Sequence, residues 1–479
     1  MTTVRFAALA AVCMFVLGIG AQVSAAPPPL EAYGRLAHVE HMRLSPSGDR
    51  YAFVRIIDGA RQLVVVPVAG GKPMALNFSL TDKVRDVEWA GDDHVMVVVS
   101  GTTHTAGLFT VDAFETSEVL VLPLNGARSF VVFEGHQDVV PMVTGRFGEA
   151  SIDGHWYGYF GAITLTKTMT GTTMDHGYTD LYRVDMDTGA TLLVSKGGIN
   201  IDIGGWLLSP DGKLIARSSY FQRTGAWQVN AAAGDLILSG HSLIDGAELA
   251  GFGRTPDTVL VRMPDLPTPT YQTASIANGS TQPVTDGARI IEPLFDRRTH
   301  LWIGEILGGD TPQAVFFSPQ IQSRMNGARK AFANYNVQLV SYDGDFNRFI
   351  IYTDGGDDSG TYWLVDIGKH SVESVGQAFP DVKETDVGPF RKVNWKAADG
   401  LAMEGVLTLP PGRAATLSSS RISAARTVMA RDLSMPATAN GAARCRPTSL
   451  TASPSWPTRE SSTLNEPASL APATAAMLR

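Results

Sequence analysis

The residues able to do acid–base, nucleophilic or metal chemistry are scattered along this chain, and one type runs out early. The ten histidines end at His370. A serine or cysteine hydrolase needs a base within hydrogen-bond reach of its nucleophile and a third group to orient that base. No Gly-x-Ser-x-Gly elbow occurs anywhere, Ser418, Ser419 and Ser420 do not sit on one, and Asp432 is the single aspartate after residue 412. No catalytic residue is therefore assigned. His38 and His41 lie three apart, but zinc requires three or four convergent ligands and no third is evident. His136, His155 and His176 are dispersed. Asp354, Asp357 and Asp358 stand among Gly355, Gly356 and Gly360, without the spacing of an EF-hand loop, and are read as a turn at a sheet edge. Neither a metal nor a cofactor is expected.

The elements that would position any site are strands. Short apolar or β-branched runs recur, among them Tyr51–Ile56, Leu63–Val66, His94–Val99, Val119–Leu122, Leu181–Val184, Leu214–Arg217 and Arg348–Tyr352. Each has strand length, and β-branched side chains suit a pleated sheet better than a helix. Two turn types alternate between them. One is Leu44-Ser45-Pro46-Ser47-Gly48-Asp49, repeated as Leu208-Ser209-Pro210-Asp211-Gly212-Lys213 and echoed around Gly91, Gly154 and Gly344. The other follows a Val-Asp step, at Val184-Asp185, Val111-Asp112 and Val365-Asp366. Proline presets one turn dihedral and glycine supplies the positive one. Modules of ~40–60 residues with two turn types predict four-stranded blades of an all-β propeller. About 370 residues accommodate roughly seven blades; a β-sandwich array and an open solenoid are the competing arrangements. The polar stretch Thr168–Gly177 reads as a loop, either lining a central channel or simply connecting strands. One segment breaks the pattern: from Pro319, apolar Ile321, Met325, Ala328 and Phe332 fall on one helical stripe, which predicts an outer helix across a blade edge. Gly327 weakens it by ~1 kcal/mol.

Bulk properties narrow the class. Thr2, Thr3 and Arg5 precede the apolar run from Phe6 to Gly20, and Val23 and Ala25 suit cleavage after Ala25, so residues 1–25 are expected to be a signal peptide. The alternative is a retained anchor, for which the run is short, since a bilayer needs about 20 apolar residues. Cys13 has no lipobox-like surroundings. Cys445 is then the one remaining thiol, so stability must come from packing rather than disulfides. The net charge of -8 argues against a nucleic-acid partner. A periplasmic or secreted protein follows, with no integral membrane segment after cleavage.

Near residue 389 the pattern changes. Lys392–Ala397 alternates, Ala398-Asp399-Gly400 turns, and Leu401–Pro410 forms a second strand that ends in Pro411-Gly412. These words resemble the prolyl oligopeptidase family of serine peptidases, close to its dipeptidyl- and acylaminoacyl-peptidase-like members. The resemblance rests on Ala398-Asp399-Gly400-Leu401, on Gly405-Val406-Leu407-Thr408-Leu409-Pro410-Pro411-Gly412, on Thr361-Tyr362-Trp363-Leu364-Val365-Asp366, on Ile152–Gly158 and on Phe317-Ser318-Pro319. It covers roughly residues 30–412. It implies a propeller (26–388) followed by the first hairpin of an α/β-hydrolase domain (389–414). It further implies an oxyanion segment and a serine elbow, then Asp and His. Such residues do not follow in this sequence. It also implies short peptides as ligands, with acidic or arginine side chains of the propeller holding a substrate amino terminus. Glu134 and Glu149 are available for that role, as are many others.

From Ala415 onward the composition turns to Ala, Ser, Thr, Pro and Arg, with Trp456 the last aromatic. Such a stretch has little apolar surface to set against its ordering entropy. Residues 415–479 are expected to be a non-native or disordered tail, from a change of reading frame or as a natural extension. The chain is thus expected to be a truncated, inactive member of a serine peptidase family. The alternative is a cell-envelope propeller that binds or scaffolds.

Overall fold

The computed structural model describes residues 30–77, 83–104, 113–169, 171–198, 202–264, 270–284, 290–309, 311–388, 390–396 and 402–408. The signal-peptide reading, the Val111-Asp112 and Ala398–Gly400 turns, and the tail lie outside these residues. Seven antiparallel sheets follow one another along the chain, each a simple meander. They span residues 39–77, 83–131, 145–195, 202–241, 248–283, 290–316 and 336–377, and are numbered here as blades 1 to 7. Blade 6 has three strands and the others have four. The predicted seven-bladed propeller is what forms.

The reason is legible in one strand. In His94–His104 of blade 2, Val95 and Val97 pack with Ala52, Val54, Leu63 and Val65 of blade 1. Their neighbours Met96 and Val98 pack with Phe160, Tyr182 and Val184 of blade 3. Successive side chains point to opposite faces, so a strand buried on both faces reads as an unbroken apolar run. The same division recurs around the ring, with one apolar cluster for each interface between neighbouring blades.

Ring closure shares no strand, because blade 1 is built from 39–77 and blade 7 from 336–377. Val39, Met42, Leu44, Phe53 and Val64 pack on Ile350 and Leu364 across that last interface. Backbone and polar bonds accompany them: Gly344 N–H to Pro46 O at 2.9 Å, His38 N–H to Ala378 O at 2.7 Å, and Leu44 N–H to Ser341 Oγ at 2.9 Å. One residue position repeats here. The first residue of the second strand reaches the next blade's turn: Arg50 donates to Asp92 O (2.7 Å), His94 meets Asp187 (2.9 Å), and Arg348 donates to Asp49 (2.7 Å) and Gly48 O (3.2 Å).

Blade 6 shows what replaces a fourth strand. Its outer strand Gln313–Phe316 pairs inward, and Phe317 N–H bonds Ile303 O, so the alternation turns the backbone groups of Ala314 and Phe316 outward. The predicted helix, Pro319–Ala331, lies there, with Ser318 as its N-cap and Pro319 opening the first turn. Gln322 Oε1 accepts from Phe316 N–H at 2.7 Å, and Arg329 donates to Ala314 O at 2.6 Å. Met325 and Ala328 are buried in the blade 6–7 cluster. Two side chains thus satisfy an edge that would otherwise offer itself to another strand.

Two readings are corrected. Thr168–Gly177 is not a loop: it belongs to the long hairpin His155–Thr168 and Gly171–Asp185, paired out to Thr168↔Gly171, which extends blade 3 as an arm. Polarity misled because the outer part of the arm is solvated on both faces, with Met169 at its fully exposed tip. A second short helix, Leu30–Gly34, also escaped the reading. After blade 7, Phe390–Lys396 pairs with Ala402–Thr408 in the expected hairpin, where Gly405 leaves room for the Trp395 ring.

Replacing Arg329 by methionine keeps the apolar stem and strands the buried Ala314 carbonyl. Urea unfolding should show a loss of about 1–3 kcal/mol, against less than about 0.5 kcal/mol for the exposed Lys330→Met.

Candidate functional site

The inner strands share a defect that builds the site. In all seven blades the inner strand carries one extra residue relative to its partner. The slip falls between Glu40 and Arg43, Val84 and Asp86, Arg146 and Glu149, Asp202 and Gly205, Leu249 and Gly251, Ile290 and Glu292, and Leu339 and Ser341. A β-bulge re-aims the side chains beside it. The residues that resume pairing are therefore Arg43, Asp86, Glu149, Gly205, Gly251, Glu292 and Ser341. Four of these are charged, and all four line a cavity of about 520 Å³ that also takes in Glu88, Arg146 and Arg297. The two glycines leave the blade 4 and blade 5 side without a side chain. A Cβ at Gly251 would meet the Phe295 ring at 2.4 Å. The result is a channel with a charged wall on blades 1, 2, 3 and 6.

Within it, Arg43 donates to Asp86 at 3.0 Å and Arg146 pairs with Glu88, its guanidinium also lying 3.8 Å from Asp86. Trp89 Nε1 donates to Arg43 O at 3.2 Å, fixing the strand between blades 1 and 2. Three groups remain without an ion-pair partner among the described residues. Arg297 is held by Leu44 O (3.3 Å) and Ser341 Oγ (3.2 Å), with its guanidinium 5.7 Å from the Tyr342 ring centroid. Glu149 and Glu292 form no ion pair within 4.0 Å among the described residues, although Arg297 and Arg43 respectively act on them at longer range.

Electrostatics follow from burial and neighbours. Burial raises Glu149 from 4.5 to about 7; Glu88 adds to the rise and Arg297 opposes it. Burial also raises Glu88 and Glu292, with Arg146 and Arg43 respectively pulling the other way. Burial lowers Arg297, opposed by Tyr342 and Glu149. Tyr342, pushed up to about 12 by burial, donates to Phe295 O at 2.8 Å and stays protonated. A carboxyl poised near neutrality beside a second acid is chemically suited to a cationic group, and a fixed guanidinium to a carbonyl or carboxylate. The Ser341 hydroxyl, bonded into this cluster, serves Leu44 N–H and Arg297.

The residues weighed from sequence fall elsewhere, with one exception. His38 lies 3.7 Å from Asp381, His136 faces Asp138 and Thr191, and His176 pairs with Asp180 at 3.1 Å. His155 opens a strand opposite Ile152. His41 is lowered by burial and takes a positive φ of 53° beside the blade 1 bulge. Asp354, Asp357 and Asp358 accept from Asn336, Tyr335 and Thr353 as a blade-edge turn. Glu134 sits in an exposed turn, whereas Glu149 is in the channel. Sequence reading missed Arg43, Asp86, Glu88, Arg146, Glu292 and Arg297. The available signal was a charge inside an otherwise apolar strand a few residues ahead of the repeated turn, as in Arg43-Leu44-Ser45-Pro46 and Glu88-Trp89-Ala90-Gly91.

Because the folded value of Glu149 lies above the unfolded one, the folded chain binds more protons between about 4.5 and 7. Stability therefore falls as pH rises through that window. Glu149→Gln should leave stability at pH 4.5 unchanged and raise it at pH 8 by about 2 kcal/mol, discounted from the full shift because water reaches the cavity. Urea midpoints at the two pH values check this.

Comparisons with known proteins give matches over the propeller. The family described as the lipoprotein LpqB β-propeller domain matches residues 14–140. Among solved structures, the chain is similar to a prolyl endopeptidase (TM-score 0.47, 11% identity, 78% of this chain and 55% of that one). It is also similar to a puromycin-hydrolysing peptidase of Mycobacterium tuberculosis (0.47, 13%, 83% and 62%) and to prolyl oligopeptidase B of Galerina marginata (0.45, 8%, 79% and 55%). The chain spans 55–62% of the length of these structures. No curated protein matches it.

Proposed function

We propose that residues 39–377 are the propeller of a protein of the prolyl oligopeptidase type, and that its channel receives the amino terminus of a short peptide. Support for the family comes from the sequence words quoted above and from their order, seven blades followed by the hairpin Phe390–Lys396 and Ala402–Thr408. The observation that carries the channel reading is the pairing pattern: two ion pairs saturate four of its charges and leave Glu149, Glu292 and Arg297 open. Two acids suit an α-ammonium, and one guanidinium suits the carbonyl or carboxylate further along.

Unblocked tripeptides should bind the full chain in calorimetric titration. Amino-terminal acetylation, or Glu149→Gln with the unblocked peptide, should weaken binding by about tenfold or more, the equivalent of one charge-assisted contact. Equal affinity for blocked and free peptides would remove the channel from the account.

The 479 residues supply neither a serine elbow nor a histidine beyond His370. A serine cannot attack a peptide carbonyl without a base. In the proposed reading this polypeptide recognises peptides and does not cleave them. A fluorophosphonate probe should leave it unlabelled, and stoichiometric labelling would contradict this. The match to a lipoprotein propeller family favours a second reading, a binding or scaffold propeller of the cell envelope. It predicts no preference for free amino termini in the same titration.

A further inference from the structure

A second cavity, of about 360 Å³, lies between blades 5 and 6, away from the channel. It is lined by Arg254, Thr258, Thr273, Gln282 and Trp302, among others. The arginines of this molecule divide into those that meet a carboxylate and those, such as Arg297 in the channel, that do not. Arg43, Arg50, Arg85, Arg146, Arg262, Arg298 and Arg348 all meet a carboxylate. Arg254 meets none among the described residues, although acids outnumber bases in the chain, 47 to 39. Its guanidinium instead rests on two aromatic faces, 3.7 Å from the Phe317 ring centroid and 5.3 Å from that of Trp302.

That platform is rigid. Trp302 is buried in the blade 5–6 cluster, its ring set edge-on to Phe317 at 4.7 Å, and its backbone N–H bonds Gly253 O at 3.0 Å. Contact with the aromatic rings uses no N–H of the guanidinium, and among the described residues its N–H groups, the fork that pairs bidentately with carboxylate or phosphate, meet no carboxylate. The threonines spend their protons within the protein. Thr273 Oγ1 donates to Gln282 O (3.3 Å), and Thr258 Oγ1 donates to Thr255 O (3.0 Å) while lying 3.2 Å from Thr255 Oγ1, so each hydroxyl keeps an accepting lone pair. A fixed cation beside hydroxyl acceptors, with the Gln282 amide at the rim, matches a ligand that carries one oxyanion and several hydroxyl donors.

We propose that this cleft binds a small polyhydroxylated anion, a sugar phosphate or a sugar acid, with Arg254 pairing the oxyanion and Thr258 and Thr273 accepting from ligand hydroxyls. The volume is that of a small-molecule site.

The test is calorimetric titration of the full chain at low salt with glucose 6-phosphate, glucuronate, glucose and inorganic phosphate. Saturable binding of glucose 6-phosphate or glucuronate is expected, and which of the two binds identifies the oxyanion. Glucose should not bind, and inorganic phosphate should bind more weakly than the sugar phosphate. Arg254→Lys should weaken binding by about tenfold, since a point charge replaces a fork. Arg254→Gln should abolish it. Thr273→Val should weaken the sugar ligands and leave inorganic phosphate unaffected. Arg254 is exposed, so the melting temperature of the ligand-free variants should match the parent, which separates loss of the site from loss of the fold. Absence of saturable binding by both charged sugars up to about 10 mM, or binding that survives Arg254→Gln, would overturn the proposal.

Discussion

Each blade of this protein has two apolar faces and can bury neither alone. That constraint governs the rest. A four-stranded meander such as blade 2 directs Val95 and Val97 one way and Met96 and Val98 the other, so it is stable only between two neighbours. Seven such units satisfy one another only when the last meets the first. Closure here uses no exchanged strand, so the cluster of Met42, Leu44 and Phe53 with Ile350 and Leu364 must do what the other interfaces do, helped by Arg348 and the Pro46–Gly344 backbone bond. Blade 6, one strand short, keeps its place because Gln322 and Arg329 answer its open backbone groups.

Ring formation also creates the site. Stacking brings seven inner strands together, and a single extra residue in each re-aims the position beside it. The set is Arg, Asp, Glu, Gly, Gly, Glu, Ser from blade 1 to blade 7, which makes one wall charged and the opposite one bare. Ionic pairing then consumes part of the charge and leaves a raised carboxyl, a second acid and a braced guanidinium facing the same space. The strand defect places Glu149 and Glu292 in the channel, and the turn after the first strand of blade 6 adds Arg297.

Much of the fold was legible in the sequence, because two-faced burial writes itself as apolar runs punctuated by Pro-x-Gly and Val-Asp turns. The runs at Tyr51–Ile56, His94–Val99 and Arg348–Tyr352 all fall inside strands, and the helix starts at Pro319 as read from the sequence. The arm of blade 3 was not legible, since Thr168–Gly177 lacks an apolar face and its strand pairing is local. The channel was hardly legible at all. Only Glu149 had been named, among many acids, because a bulge is a property of strand register, and register depends on the partner strand rather than on the residue itself. Arg43, Asp86 and Glu292 look like stray charges until the ring aligns them.

The claim that closure rests on two-faced burial is tested most directly by hydrogen–deuterium exchange on the full chain. The account predicts that the second strands of blades 1 and 7, Arg50–Ile57 and Arg348–Gly355, are as slow to exchange as Leu214–Phe221 of blade 4. Rapid exchange confined to the two terminal blades, with the middle of the ring still protected, would contradict it.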